Sequence, residues 1–198
     1  MRHLLKLLSL VPLPVLYPVG WVIYGIVFHV LRWRRDQVAN DIALAFPDST
    51  AAERARILRQ SYRNLADVVM EALWGFSASA QALARRVSFE NTDPIDAAVA
   101  ARQSVVLLTP HFCNWEWLLL TAGIAFKLPI DAVYKPQRLK GVDEFLRARR
   151  ARFGGNPIPH QSFMFEVMKR RNDVRAYALV ADHTPKHNEE KYWTRCPG

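Results

Sequence analysis

Three side chains that could do chemistry, His111, Asn114 and Glu116, follow directly after an apolar run at residues 104–109. Such a run of valine and leucine residues is typical of a strand that is covered on both faces. Pro110 ends the strand because its nitrogen has no hydrogen to donate to a neighbouring strand. Histidine can take a proton from a hydroxyl group near neutral pH, and a nearby carboxylate can hold the imidazole in the required tautomer. A single histidine in a turn is nevertheless more often an ordinary solvated residue than a catalytic one.

The segments around this stretch alternate between strand-like and helix-like patterns from residue 87 onward. Strands are predicted at 87–90, 104–109, 130–134 and 175–180, and helices at 94–102, 114–126, 142–153 and 162–171. This alternation predicts an α/β fold with a mostly parallel sheet flanked by helices. In such sheets ligands bind beyond the carboxyl ends of the strands, which is where His111 is predicted to lie.

The N-terminal region is strongly apolar. Residues 11–31 contain no charged side chain, and a bilayer crossing needs about 20 such residues. Three arginines follow within residues 32–35, and clusters of this kind favour the cytoplasmic side of a membrane. The pattern predicts a membrane helix within an anchor at residues 1–35, followed by an α/β domain at 36–198. Three prolines interrupt the apolar run, so a re-entrant helix, an interfacial helix and a buried core helix are alternatives.

A long helix is predicted after residue 50, because Thr50 and Glu53 have the spacing of a capping box. Apolar residues recur along one side of it: Ile57, Leu58, Tyr62, Leu65, Val69 and Leu73. A stripe at this spacing predicts packing against the rest of the protein and not a binding site.

The charge balance indicates the kind of partner. Lys+Arg number 27 against 18 Asp+Glu, which gives a formal charge of +9. This charge favours an anionic partner, such as a phospholipid surface, a phosphorylated glycolipid, an acidic carrier protein or a nucleic acid. The sequence has no RNA-binding signature or zinc-finger spacing that would support a nucleic acid as the partner. The two cysteines, Cys113 and Cys196, give no disulfide framework and fit a reducing cytoplasm.

The string HFCNWEW at residues 111–117 resembles the signature of the bacterial lipid A biosynthesis (lauroyl/myristoyl) acyltransferases, within the lysophospholipid acyltransferase superfamily. IALAFP at 42–47 resembles the segment that follows the membrane helix of that family, although Asp41 stands where the family usually has asparagine. Two further segments at predicted strand ends are similar to family motifs. Residues 134–136 resemble Tyr-Arg/Lys-Pro, and residues 181–185 resemble Ala-Asp-Gln-x-Pro, with a histidine in place of glutamine.

The resemblance implies catalytic roles for two of these residues. His111 would deprotonate the acceptor hydroxyl group, and Glu116 would orient and stabilise the imidazolium, as the acid does in hydrolytic triads. Asn114, or backbone N–H groups at the start of the following helix, would hold the oxyanion. The acceptor oxygen is itself the nucleophile, so no acyl-enzyme is needed.

The resemblance also implies a substrate site around these residues. Lys135 would meet an anionic headgroup, with Arg138 close behind it, and Asp182 would form part of the site wall. Lysine replaces the commoner arginine, and it cannot make the planar two-bond contact of a guanidinium. His183 and His187 have no third ligand at a recognised spacing, so no metal is predicted.

The co-substrate implied is an acyl thioester of acyl carrier protein or coenzyme A, with no bound cofactor. The implied partners are acyl carrier protein, an anionic lipid acceptor and the membrane, with no nucleic acid. The implied location is the bacterial inner membrane, with the catalytic domain on the cytoplasmic face.

Several alternatives stay open at the level of sequence. A lipid hydrolase would need a nucleophile, and Cys113 beside His111 is the candidate because no G-x-S-x-G motif occurs. The chain could also be a non-catalytic relative that only binds membrane lipid, or it could acylate a glycerolipid or an aminolipid. We further expect it to be C-terminally short for its family, because residues 195–198 supply neither a strand nor a helix.

Overall fold

The structure of the protein, a computed structural model, describes residues 2–126 and 128–182. Within these ranges the chain is α/β, with four parallel strands in one sheet flanked by helices, as predicted. The strands are β1 (Val105–Thr109), β2 (Ile130–Tyr134), β3 (Gly155–Pro159) and β4 (Ala176–Val180). The predictions for His183, His187 and Cys196 lie outside the described residues.

The helices cover the N-terminal half and alternate with the strands thereafter. They are α1 (Arg2–Leu8), α2 (Leu13–Gly25), α3 (Arg35–Ala45), α4 (Ala51–Gly75), α5 (Ala80–Ala84), α6 (Asp93–Ala100), α7 (Trp115–Ala125), α8 (Lys140–Arg150) and α9 (Phe163–Lys169). A π-helical turn (Ile26–Val30) continues α2, and a 3₁₀ turn (His160–Ser162) precedes α9.

The strand order is β1-β4-β2-β3, so β4 lies between β1 and β2. Val105 of β1 and Ile130 of β2 both pair with Ala176 of β4. Because all of these strands are parallel, their carboxyl ends meet at the same edge of the sheet. The turn after β1 and the residues after β4 are therefore neighbours in space, although they are far apart in sequence.

Strand β3 was not predicted from the sequence. Its five residues, GNPIP, include Pro157 and Pro159, which cannot donate to a sheet ladder. Such a segment can form a strand at the edge of a sheet, where the backbone on one side has no neighbouring strand to pair with. Strand β3 is an edge strand of the described sheet. The strand predicted at 87–90 is wrong, because this segment is irregular in the structure. Phe89 instead packs its ring against Phe126.

A buried carboxylate ties the strands together. Asp131 of β2 is fully buried and accepts hydrogen bonds from Asn156 of β3, Arg175 before β4 and Arg170 after α9. Burial raises the pKa of this carboxyl group, but the hydrogen bonds from Arg175 and Asn156 outweigh that effect, so its pKa lies below the ordinary value. The cluster fixes β2 against both of its neighbouring strands.

The apolar N-terminal segment packs on the long helix α4. Leu13 and Leu16 of α2 share one apolar core with Met70 and Trp117, which belong to α4 and α7. Gly20 allows the close approach, because a Cβ atom there would lie 2.7 Å from Met70 Cγ. The division of the chain at residue 35 stays a prediction.

Helix α4 begins as the sequence predicted. The Thr50 backbone N–H donates to Glu53 Oε2 at 2.7 Å, and the Glu53 N–H donates to Thr50 Oγ1 at 3.2 Å, which completes the capping box. The packing stripe is only partly confirmed. Tyr62 is buried, but Leu65 and Val69 are exposed.

A second apolar core lies between α7 and one face of the sheet. Ala122 and Phe126 from the end of α7 meet Ile130 of β2 and Ala176 of β4. This packing sets α7 across the sheet and brings its first turn to the carboxyl ends of the strands. The catalytic candidates occupy that first turn and the loop before it.

Candidate active site

His111 lies in the turn between β1 and α7 and contacts Asp182, two residues beyond β4. The Nδ1 atom of His111 lies 2.7 Å from Asp182 Oδ1, and the His111 backbone N–H donates to Asp182 Oδ2 at 2.8 Å. The adjacency of β1 and β4 produces this contact. The hydrogen bonds from the His111 ring and backbone hold the pKa of Asp182 below its ordinary value, so this carboxylate is ionised at neutral pH.

The contact with Asp182 selects the tautomer of the imidazole. An ionised carboxylate only accepts hydrogen bonds, so the proton of neutral His111 is assigned to Nδ1. In that tautomer Nε2 carries the lone pair that a general base uses. The ring is also fixed from the side by Trp115, whose ring centroid lies 5.1 Å away in an edge-on arrangement.

Glu116 pairs with Arg150 and not with His111. Its side chain is buried in the first turn of α7, and Arg150 at the end of α8 donates to both carboxylate oxygens, with Nε to Oε2 at 2.9 Å. Burial lowers the pKa of Arg150, but the contact with Glu116 outweighs this and raises it above the ordinary value. The pair is therefore a two-bond salt bridge that joins α7 to α8.

The Asn114 side chain caps the N-terminus of α7. Its Oδ1 accepts from the Trp117 backbone N–H at 3.0 Å, which caps α7, and its Nδ2 donates to Glu71 Oε2 at 3.1 Å. Glu71 belongs to α4, and its other carboxylate oxygen accepts from the Tyr17 hydroxyl of α2 at 2.9 Å. The candidate catalytic turn, residues 110–114 between β1 and α7, is thus tied through α4 to the N-terminal apolar segment.

A cavity of about 790 Å³ runs between α7 and the sheet and reaches the catalytic turn. His111, Glu116 and Arg150 lie at one part of its wall. The rest is largely apolar and includes Leu107, Leu118, Leu119, Ala122, Phe126 and Ala178. Ligand sites are typically about 300–1,000 Å³ in volume and mostly apolar, with few polar groups.

The two predicted cations differ in their position. Lys135 lines the cavity next to Gln137, whereas Arg138 is exposed and does not line it. Asp143 of α8 holds this loop, because its carboxylate accepts from the Gln137 backbone N–H at 2.8 Å and from the Tyr134 hydroxyl at 3.3 Å. Lys135 therefore has a defined place at the rim of the cavity.

The structure places His111, Glu116 and Lys135 on the wall of one cavity. Asp182 contacts His111 but is not among the residues that line this cavity. The catalytic and binding roles of these residues stay predictions. Sequence reasoning missed Arg150, which was predicted only as part of the helix at 142–153. It also missed Glu71, which no sequence signal distinguishes from the other polar residues of α4. Within the described residues, no group of three or more His, Cys, Asp or Glu side chains is placed to hold a metal ion. Residues 13–30 are long and apolar enough to cross a membrane by length and composition.

These features define a class of protein: an α/β protein with a histidine–carboxylate pair at the carboxyl edge of a parallel sheet, beside an apolar cavity. The family of bacterial lipid A biosynthesis acyltransferases matches residues 2–192, and the chain belongs to this family. The family predicted from the sequence is thereby confirmed. A lipid A biosynthesis acyltransferase of Haemophilus influenzae is 24% identical over 141 residues, which cover 68% of this chain and 42% of that relative. The chain thus spans less than half the length of the relative that it matches.

Proposed function

We propose that the protein is a membrane-bound O-acyltransferase that moves a fatty acyl group from a thioester to a hydroxyl group of a lipid A precursor or a related lipid. The observation that supports this most strongly is the His111–Asp182 pair beside the apolar cavity. The pair supplies a base of defined tautomer, and the cavity suits an acyl chain.

In this mechanism His111 acts first as a base and then as an acid. Its Nε2 takes the proton of the acceptor hydroxyl while that oxygen attacks the thioester carbonyl carbon. The tetrahedral intermediate then collapses, the carbon–sulfur bond breaks, and the leaving thiolate takes the proton from the imidazolium. The products are an ester and a free thiol. Asp182 stabilises the imidazolium and keeps the ring in position.

The developing oxyanion is best placed at the first turn of α7. The Asn114 amide is already committed to Glu71 and to the Trp117 N–H. The other backbone N–H groups of the first turn, those of Trp115 and Glu116, point outward from the helix start, and the helix dipole adds a favourable potential there. We assign oxyanion binding to these backbone groups, with Asn114 fixing their position.

Glu116 and Arg150 hold α7 and α8 around the cavity. We assign the orientation of His111 to Asp182, since the two carboxylate oxygens of Glu116 already accept from Arg150. Lys135 at the cavity rim is suited to an anionic acceptor headgroup, with Arg138 as an outer cation. The proposed donor is acyl carrier protein or coenzyme A thioester, and the proposed location is the cytoplasmic face of the bacterial inner membrane.

The test is acyl transfer from a labelled acyl thioester to lipid acceptors by four variants in parallel. We expect His111→Ala to lose about 100- to 10,000-fold of kcat/KM, the usual contribution of a general base. Asp182→Asn should lower kcat/KM by a smaller factor and should shift the pH profile of kcat/KM. Glu116→Gln should lower the rate without shifting that profile.

Cys113→Ser is the control that separates this mechanism from thiol chemistry. Cys113 is exposed in the catalytic turn, and near-parental transfer by its serine variant supports the role of His111. Parental activity in the His111 variant would overturn the proposed mechanism. A covalent acyl-enzyme that disappears with Cys113→Ser would instead indicate a cysteine nucleophile.

A further inference from the structure

An apolar surface on the N-terminal helices is exposed in the structure. We call it the anchor face; it comprises Val15, Val19 and Val22 of α2, Ile26 of the π-helical turn, and Leu65 and Val69 of α4. Each of these side chains is 44–64% exposed. Exposed apolar side chains grouped at helical spacing on two packed helices are typical of an interaction site.

The anchor face lies on one side of the α2–α4 pair, and the polar contacts lie on the other. Tyr17 of α2 donates to Glu71, and Trp21 donates to Asp67 at 3.0 Å, so the two helices run antiparallel. Arg63 lies over the Trp21 ring on the same side. At about 100° per residue, this spacing places the anchor-face residues of both helices on the opposite side. The pair is therefore amphipathic as a unit.

Both ends of the apolar segment contact the same body of the protein. Ser9, before α2, shares a hydrogen bond with Ser77, just after α4. Beyond the π-helical turn, the Trp33 carbonyl accepts from the Tyr62 hydroxyl of α4. A helix that crossed a bilayer would place Ser9 and Trp33 in opposite aqueous phases. Both contacts are made with α4 or just after it, so a crossing by α2 retains them only if α4 crosses as well.

The charges of α4 also oppose a crossing. Arg63, Asp67 and Glu71 lie alongside the middle of α2, so a spanning α2 that kept these contacts would bring them into the hydrocarbon. A charged side chain at that depth costs roughly 2.5–3.5 kcal/mol or more. An in-plane orientation avoids this cost, because it immerses the anchor face and leaves the polar side in water.

The surroundings of the anchor face match an anionic lipid surface. Arg32, Arg34 and Arg35 follow the π-helical turn, and Trp33 among them is 54% exposed. Arginine and tryptophan are residues that occupy the headgroup region of a membrane.

We propose that the anchor face enters one leaflet of an anionic phospholipid bilayer, with α2 and α4 parallel to the membrane plane. The N-terminus and the catalytic turn then lie on the same side of the membrane. The proposal rests on membrane attachment and not on acyl transfer. It differs from the spanning helix predicted from the sequence, and it follows from the packing of α2 on α4.

The test measures the depth of labelled side chains in vesicles of phosphatidylcholine and phosphatidylglycerol. Single cysteines replace Val15, Val22 or Ile26 in a chain that carries Cys113→Ser and Cys196→Ser, and each receives a fluorescent label. Quenchers fixed at known lipid depths then report the position of each label. An in-plane pair gives three similar shallow depths. A spanning helix over residues 13–30 gives unequal depths, with residue 22 deepest and residue 15 about 10 Å shallower, and this result would overturn the proposal.

Two further measurements complete the test. An N-terminal tag should be cleaved by protease added outside preformed vesicles, and a protected tag on bound protein would contradict the in-plane orientation. Val22→Glu should weaken vesicle binding about tenfold or more, whereas Met164→Glu on α9, also at an exposed apolar position, should not. Equal binding by both variants, or no binding by the parent, would overturn the proposal. Loss of acyl transfer with intact binding would contradict only the proposed function.

Discussion

Two carboxylates in the site, Asp182 and Glu116, have different partners, and this difference underlies the separate roles that we propose for them. Asp182 contacts the His111 ring and backbone, whereas Glu116 is buried against Arg150. The first arrangement leaves a carboxylate accessible and close to the His111 ring. The second is an internal ion pair, which contributes to stability only while both partners are present.

Arg150→Met should therefore destabilise the protein by about 3–5 kcal/mol, because it leaves the Glu116 carboxylate buried without its counterion. The double variant Glu116→Leu with Arg150→Met should recover most of that loss, since apolar replacement of both partners removes the uncompensated charge. Urea unfolding followed by tryptophan fluorescence measures both effects. Arg147→Met, on an exposed position of the same helix, is the control and should change stability by less than about 0.5 kcal/mol. A double variant no more stable than Arg150→Met would show that the pair is not coupled.

At the scale of elements, Glu71 connects three helices. Its carboxylate accepts from Tyr17 of α2 and from Asn114 at the start of α7, and its backbone carbonyl accepts from the Trp117 ring at 2.8 Å. Asp67, one turn earlier on α4, makes only the corresponding contact with α2 through Trp21 among the hydrogen bonds of the described residues. The two acidic residues are therefore a matched pair, of which one reaches the catalytic turn.

Glu71→Ala and Asp67→Ala should each cost about 1 kcal/mol of stability through the lost hydrogen bond to α2. Only Glu71→Ala should also lower kcat/KM, by about tenfold or more, because Asn114 loses the acceptor that fixes the catalytic turn. Steady-state kinetics on the two variants, with thermal unfolding as the stability measurement, separates these effects. Equal kinetic losses in both variants would mean that α4 acts on the site only through overall stability.

Most elements that carry the site were predictable from local pattern. Strands β1 and β2 and helix α7 lie where apolar runs and turn residues placed them, within one or two residues. Strand β3 was missed because its two prolines oppose a strand unless it lies at an edge. The strand predicted at 87–90 does not form, because alternation of apolar and polar residues is not sufficient for a strand. A segment of alternating apolar and polar residues forms a strand only where a neighbouring strand has unpaired backbone groups. Phe89 instead packs against Phe126 in the apolar core between α7 and the sheet.

At the scale of the whole molecule, the N-terminal segment is part of the folded body. Leu13 and Leu16 share a core with Met70, Phe76 and Trp117. A spanning helix separated from its domain would not contribute to such a core. The segment thus has two functions in our proposals, since it covers apolar surface of α4 on one side and enters the leaflet on another.

Deletion of residues 1–35 should accordingly produce an aggregated protein without a cooperative unfolding transition, because it exposes Met70 and Phe76 to water. Sedimentation and thermal unfolding measure the result. The full chain with Val22→Glu is the control and should unfold cooperatively, since that side chain is exposed. A deletion variant that is monomeric and unfolds cooperatively would show that the anchor and the domain are separable.

The sequence by itself determined the α/β class, the family, the strand–turn–helix stretch that holds His111, and the apolar character of the N-terminus, because each depends on residues close together in the chain. Only the tertiary structure decided which carboxylate meets His111. The partner is Asp182, 71 residues away, and it arrives there because β4 inserts beside β1. Likewise, composition alone fits a spanning helix at residues 13–30, and only the packing of α2 on the charged helix α4 shows which side chains stay exposed. Strand order and helix docking are set by long-range burial, which local pattern does not encode.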